Sequence, residues 1–387
     1  MKNGGSMKIT IIAAALPPQL DGIGDYSAQI AAELARSQDV TVLTGAPTPD
    51  PIPGVRTRTV FSADDPASVQ GIADFVETNP PDWALLQYNP FSYGRWGLNL
   101  HLPRIMQQIK RRCPQTRFAL MVHEPFVPII TPQFAVMATW QRWQLWQLGL
   151  AADALFFSID PWAKRFQRWF PGKPVVHLPV GSNIPRVPMS RQEARARLGI
   201  REDAVILGLF GTASSGRMLG RATESLTALR SAGIPAQVLY VGPHQAAICA
   251  ALGSESVIAG GPYPAEEVSR RLSAMDIYLA AYIDGVSTRR GALMAALQHG
   301  IAAVGTRGPL TDALLEQEAG HAFLLADVTA PSQFQAHVLR LAEKPAFREQ
   351  IAHAGALLYA RELDWPIIAR RMLSVFADRQ NQRDSEN

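Results

Sequence analysis

Cysteine is nearly absent: the 387 residues hold two, Cys113 and Cys249, far apart and without metal-type spacing. That excludes a disulfide framework and a cysteine zinc site, and suits a reducing, cytoplasmic setting. Long apolar runs are missing too. None reaches the ~20 residues of a transmembrane helix. Met1 to Ser6, followed by MKITIIAAAL, do not make a signal peptide, because the apolar stretch from Ile9 is short and runs into Pro17-Pro18. Those six residues are set aside as an added leader or alternative start, with Met7 the natural beginning. There is no repeat of solenoid period. No Asp-x-Asp stands at a strand end, so no metal ligands and no cofactor are expected. Charge of one sign is scarce: 37 basic against 33 acidic residues give +4. This is no nucleic-acid-binding tail, but it suits anionic ligands such as diphosphates, or an acidic membrane surface.

What the sequence does contain is alternation. Strand runs at Ile9–Ala15 (buried), Val40–Leu43, Val55–Phe61 (a candidate), Trp83–Tyr88, Phe118–Val122 (buried), Ala154–Phe157 and Val175–Leu178 are interleaved with helical patterns at Asp25–Arg36, Ala67–Glu77, Ile105–Arg112, Thr131–Leu150 and Pro161–Phe170. Such alternation predicts a parallel sheet with helices on both faces. GSNIPRVPMS, from Gly181 to Ser190, is rich in turn residues and reads as a linker. Ser190 with Glu193 forms a capping-box start for the next helix. The alternation then restarts: strands at Ala204–Phe210, Gln237–Val241, Ser256–Ala259, Ile277–Ala281 and Ile301–Val304, a helix at Gly291–Gln298, and mainly helix from Pro331, with a frayed polar tail at Asn381–Asn387. The expectation is an α/β chain of two tandem Rossmann-like domains facing a cleft. One spans 7–184 plus a C-terminal helix at 366–387, and the other 185–365.

Ligands of open parallel sheets bind beyond the carboxyl ends of the strands, so the residues that follow strands matter most. Four segments stand out. GIGDYS offers Gly22, Gly24 and Asp25 between the first strand and its helix, where glycines and a helix N-terminus suit a phosphate. Ser27 stands where a third glycine of G-x-G-x-x-G would be, and no Walker lysine follows, which disfavours a dinucleotide dehydrogenase or a P-loop enzyme. The alternative is a tight turn capped by Asp25. His123-Glu124 ends a buried strand, where a histidine can hydrogen-bond a sugar hydroxyl or move a proton; a satisfied loop histidine is the alternative. FGTASSGR, Phe210 to Arg217, opens a helix and presents Gly211, Thr212 and Arg217 as a diphosphate holder, or a plain Gly-Ser turn. Asp284, Ser287, Thr288, Arg289 and Arg290 precede another helix, and their amides and two cations make the strongest anion site in the chain, unless both arginines are solvent-exposed.

In order and spacing these segments resemble the large GT-B retaining glycosyltransferase family often called family 4, over nearly the whole chain. GIGDYS resembles its glycine-rich first loop and MVHEP its cleft-histidine strand. LPVGSNIP stands at its Pro-Asn-Gly position, FGTASSGR at its donor loop, and LYVGPH at its strand ending in glycine. LDWPIIARRML resembles its tryptophan-led helix that crosses back to the first domain. There are departures. Thr212 holds the donor-loop arginine position and Arg217 the lysine position. Ser287 and Ala295 hold the positions of both glutamates of E-x7-E, so that motif is degenerate; Asp284, Glu316 or Glu318 are candidate replacements.

The resemblance implies retaining, metal-independent transfer from a nucleotide-sugar donor to a saccharide, lipid or small-molecule acceptor. Arg217, Arg290 and amides near Gly211 and Thr288 would stabilise the leaving diphosphate. His123 would orient the sugar, with Glu124 the alternative base. Tyr88, Phe91, Tyr93 and Trp96 crowd one loop, where rings either stack on the acceptor or pack the domain. Trp140, Trp143 and Trp146, then the basic-aromatic run Trp162–Phe170, either touch an anionic membrane surface or combine core packing with a solvated basic face. Rival expectations are a nucleotide-sugar epimerase, which would need further carboxylates, a non-catalytic partner subunit of the same fold, and a nucleotide sensor.

Overall fold

The computed structural model of the protein describes residues 6–213 and 216–386. Met1 to Gly5, Ser214 and Ser215 of the FGTASSGR loop, and Asn387 lie outside the described residues. The chain divides into two compact units: Met1–Pro179 with Trp365–Asn387, and Val180–Asp364. The cuts fall slightly before the expected 184 and 365. The reason is that the turn-rich 181–190 segment packs on the second unit. Val180 N–H donates to Thr288 O (3.0 Å), Ser182 N–H to Tyr359 Oη (3.2 Å) and Val187 N–H to Ser269 Oγ (2.9 Å).

The first unit is built on a seven-stranded sheet: β1 (Lys8–Ala13), β2 (Asp39–Thr44), β3 (Arg56–Thr59), β4 (Trp83–Tyr88), β5 (Arg117–Val122), β6 (Ala154–Phe157) and β7 (Val175–His177). All pairings are parallel, in the order β3-β2-β1-β4-β5-β6-β7. The helices between strands are α1 (Gly22–Leu34), α2 (Gln70–Thr78), α3 (His101–Arg112), α4 (Pro132–Ala151) and α5 (Asp160–Gln167). Strands with helices on both faces carry apolar side chains on both, and β1 does so: Ile9, Ile11, Ile12 and Ala13 are all buried.

The second unit holds a six-stranded parallel sheet in the order β10-β9-β8-β11-β12-β13. Its elements are α6 (Arg191–Leu198), β8 (Val205–Phe210), α7 (Gly220–Ser231), β9 (Ala236–Val241), α8 (Gln245–Leu252), β10 (Val257–Gly260), α9 (Ala265–Leu272), β11 (Ile277–Ala280), α10 (Gly291–Gln298), β12 (Ala302–Arg307), α11 (Ala313–Gln317), β13 (Leu324–Asp327), α12 (Pro331–Glu343) and α13 (Pro345–Leu358). The capping box of Ser190 and Glu193 is present at the start of α6. β13 was not expected; its parallel pairing with β12 makes it a strand.

The last helix, α14 (Trp365–Glu386), belongs to the first unit. Its helical conformation runs on through Glu386, where a frayed tail was expected from Asn381. Trp365 meets Tyr26 edge-on at 5.2 Å, Phe376 stacks on Trp83 at 4.2 Å, and Arg379 Nη2 donates to Asp153 O (3.3 Å).

Candidate functional site

In the second sheet the strand order reverses between β8 and β11, the place where open parallel sheets take ligands. The loops after these two strands are laced together. Arg217 and Tyr282 form an antiparallel bridge, Met218 N–H donates to Ala281 O (3.0 Å), and Ile283 N–H donates to Gly216 O (2.9 Å). This brings the expected cations together. The guanidinium carbons of Arg217 and Arg290 lie 5.4 Å and 4.2 Å from the centroid of the same Tyr282 ring. Arg217 is buried, and its Nη2 donates to Phe210 O (2.6 Å) and Tyr282 Oη (3.2 Å). Its Nε and Nη1 are buried with no hydrogen-bond partner among the described residues. A buried cationic N–H without an acceptor is costly, so this guanidinium is suited to an anion.

Asp284 is not a free carboxylate. Arg289 Nη2 donates to it at 2.6 Å, and Arg290 Nη2 reaches both its oxygens at 2.7 and 2.9 Å. The three arginines and one aspartate keep an excess of positive charge, but Asp284 acts as an anchor for two of them and does not replace a missing glutamate. Glu316 and Glu318 are engaged as well, with Arg307 (2.9 Å) and Arg361 (2.6 Å).

The backbone amides differ from expectation. Gly211 N–H donates to Val241 O (2.9 Å), Arg290 N–H to Ser287 O (3.0 Å), and Thr288 N–H to the carboxylate of fully buried Asp312. Asp312 lies 24 residues downstream, and it takes the amide that the sequence offered to a ligand. Ser287 is fully buried with its Oγ unpartnered, and Thr212 is exposed. The positive end of this site therefore rests on guanidinium groups. Among the described residues no three His, Cys, Asp or Glu side chains converge as a metal ion would require.

In the first unit the order reverses between β1 and β4. Here α1 begins at Gly22, and its cap is Asp21, not Asp25. The Asp21 carboxylate accepts from Ile23 N–H (2.9 Å) and Gly24 N–H (2.6 Å), so these amides are already occupied by an anion from the chain itself. Gly24 serves packing, because a Cβ there would stand 3.0 Å from Ala15 O. The GIGDYS loop is thus a self-capped helix start, and the phosphate expected at Gly22 and Gly24 has no free amides at Ile23 and Gly24 to meet. Asp25 is pushed up to about 6, first by burial and then by the neighbouring Asp21 charge.

His123 sits behind this turn. Its ring lies edge-on to Tyr26 at 4.7 Å, and Nε2–H donates to Gln87 Oε1 (2.8 Å). Burial lowers its pKa to about 3, so the ring is neutral and the lone pair lies on Nδ1. Glu124 is exposed beside it. Two neighbours escaped the sequence reading. Tyr26 Oη and Gln87 Nε2 are buried and unpartnered, which makes them natural partners of a polar ligand at His123. Gln87 had a signal, as the lone polar side chain in the buried run WALLQY. Of the two alternatives for Tyr88 and Tyr93, stacking on an acceptor or packing the domain, the structure has them buried in the domain. The Tyr88 hydroxyl accepts from Gln144 Nε2 (3.2 Å), and the Tyr93 hydroxyl lies 3.1 and 2.8 Å from the carbonyls of Ile12 and Gln87, tying the ends of β1 and β4 together. Phe91 and Trp96 are the exposed aromatics of that loop.

Two sheets with helices on both faces, each with polar side chains gathered where its strand order reverses, define a chain of two Rossmann-type units. Sucrose-phosphate synthase from Thermosynechococcus elongatus superposes on it with a TM-score of 0.69 at 15% identity, over 97% of this chain and all of that one. Anabaena HepE, solved in complex with UDP and glucose, does so at 0.71 and 14%, over 96% and all of its length. These are GT-B glycosyltransferases, and the chain has the GT-B fold. In sequence it is 30% identical over 259 residues to a D-inositol 3-phosphate glycosyltransferase of Nocardioides sp. (strain ATCC BAA-499 / JS614), 58% of this chain and 54% of the relative. The match thus spans about half the length of that curated relative. No family model matches the chain.

Proposed function

We propose that this protein is a cytoplasmic glycosyltransferase that moves a sugar from a nucleotide-diphosphate donor to a saccharide, lipid or small-molecule acceptor, with retention and without a metal ion. The observation that carries this is the pair Arg217 and Arg290 on one tyrosine ring, with Arg217 Nε and Nη1 buried and unpartnered at the strand-order reversal. The fold adds support, as does a neighbour solved with UDP and glucose. As the glycosidic bond breaks, negative charge grows on the leaving diphosphate, and preorganised guanidinium groups stabilise it without reorganising. The donor phosphate then takes the acceptor proton. Neutral His123 orients the sugar through hydrogen bonds, with Tyr26 and Gln87 completing that polar wall. A protonated imidazole is not available near neutral pH, which leaves exposed Glu124 as the alternative proton carrier.

One observation favours a second reading, a nucleotide-sugar-binding protein or non-catalytic partner of the same fold. The positions aligned with the family's two glutamates, Ser287 and Ala295, are fully buried and carry no carboxylate. Incubating the purified chain with a panel of nucleotide sugars separates the two. A transferase slowly releases nucleoside diphosphate and free sugar even without its acceptor, at a rate EDTA leaves unchanged. A binder raises its melting temperature with the donor and releases nothing.

A further inference from the structure

Twelve large apolar side chains are exposed in the described structure, and nine of them lie between Phe91 and Leu150. The helix α4 explains the concentration. One face, with Met137, Leu145 and Leu148, is buried against the sheet, as a surface helix requires. The opposite face should be polar, yet it carries Val136, Trp143, Trp146 and Leu150, all exposed. From Val136 to Leu150 this apolar outer stripe is about 21 Å long. Ile129 and Ile130, 55% and 72% exposed, extend it at the helix start.

The neighbouring loop adds a strained residue. Trp96 has φ 58°, the one non-glycine residue in the left-handed region among those described, and its indole is exposed. Such backbone is strained and persists only where neighbours hold it. Here α4 holds it: Trp140 Nε1 and Gln141 Nε2 both donate to Trp96 O at 3.1 Å. The chain keeps a strained backbone that leaves the Trp96 indole exposed, tied to the helix that carries the exposed Trp143 and Trp146.

The stretch of sequence that carries this patch is rich in positive charge. Residues 91–173 contain eleven Lys and Arg but three acidic residues. Of those three, Asp153 pairs with Lys110 (3.3 Å) and Asp160 with Lys164 (2.6 Å). Arg95 sits on the patch itself, over Trp96, while Arg142 and Arg165 lie over the half-buried ring of Phe126. Exposed tryptophan and isoleucine flanked by arginine match an anionic bilayer, with rings at the headgroup boundary and guanidinium groups on lipid phosphates. Among the described residues no helix is long and apolar enough to cross a membrane.

We propose that the outer face of α4, with Ile129, Ile130 and Trp96, docks on an anionic lipid surface without spanning it. This goes beyond the transferase reading and does not depend on it. The test is flotation of the full chain with vesicles of phosphatidylcholine alone or of equal parts phosphatidylcholine and phosphatidylglycerol. The chain is expected to float with the anionic vesicles only. Trp143→Ser and Ile130→Ser should each weaken partitioning about tenfold, and the double reversal Arg95→Glu/Arg165→Glu at least as much. All four side chains are exposed, so melting temperature and nucleotide-sugar binding should stay at wild-type values, which separates failure of this surface from failure of the donor site. Absence of wild-type flotation, equal flotation with both vesicles, or undiminished flotation of the variants overturns the proposal. So does a concentration-dependent dimer abolished by Trp143→Ser without vesicle binding, which would assign the face to a second copy.

Discussion

His123 shows what a residue's surroundings decide. Its place after β5 was legible, because a polar pair closing the buried run FALMV stands out. Its protonation state was not, since that depends on Tyr26 and Gln87, which reach it from other elements. Burial holds the folded pKa at about 3, below the ordinary value. As pH falls below the unfolded pKa, the unfolded chain takes the proton first. The stabilisation is therefore complete above about pH 6.5 and is lost progressively toward pH 3. Replacing His123 with Asn should flatten the fall of unfolding free energy between pH 6.5 and 4, by at most about 1.4 kcal/mol per pH unit. Half-buried His177, its pKa lowered to about 4 chiefly by desolvation, leaves a residual slope. Urea unfolding across that window gives the answer, and an unaltered slope would mean that His123 titrates normally. In the transferase reading, His123→Ala lowers kcat while donor affinity stays near wild type.

At the scale of elements, most strands were visible as short apolar runs, and the α6 capping box as Ser190 and Glu193. What escaped was which groups satisfy which helix ends. GIGDYS suggests an anion-binding helix start, but the residue just before it, Asp21, closes that site locally. The Thr288 amide was beyond sequence reasoning altogether, because its partner Asp312 arrives from the loop after β12. Asp21→Ala should lower stability by about 1 kcal/mol through loss of the α1 cap, read as a drop in melting temperature. If the freed amides are a latent phosphate site, added phosphate should restore part of that drop. A variant as stable as wild type would show that the cap contributes nothing.

For the whole chain, two alternating halves were enough to expect two Rossmann-type units. The return of the last helix was expected by resemblance, since LDWPIIARRML says nothing by itself about where it packs. Its side chains complete the first unit: Phe376 is fully buried, stacked on Trp83 and edge-on to Phe156. Phe376→Ala should cost about 3–5 kcal/mol and lower the first unit's transition in calorimetry. An unchanged transition would place the helix outside that core. The central claim concerns the second unit, where Arg217 and Arg290 share the Tyr282 ring. Isothermal titration of nucleoside diphosphates and their sugars into wild type, Arg217→Ala and Arg290→Ala tests it most directly. Loss of one charged hydrogen bond predicts affinity about tenfold or more weaker in each variant, with folding intact. Wild-type affinity in both variants, or no binding of any nucleoside diphosphate to the wild-type chain, would contradict the account.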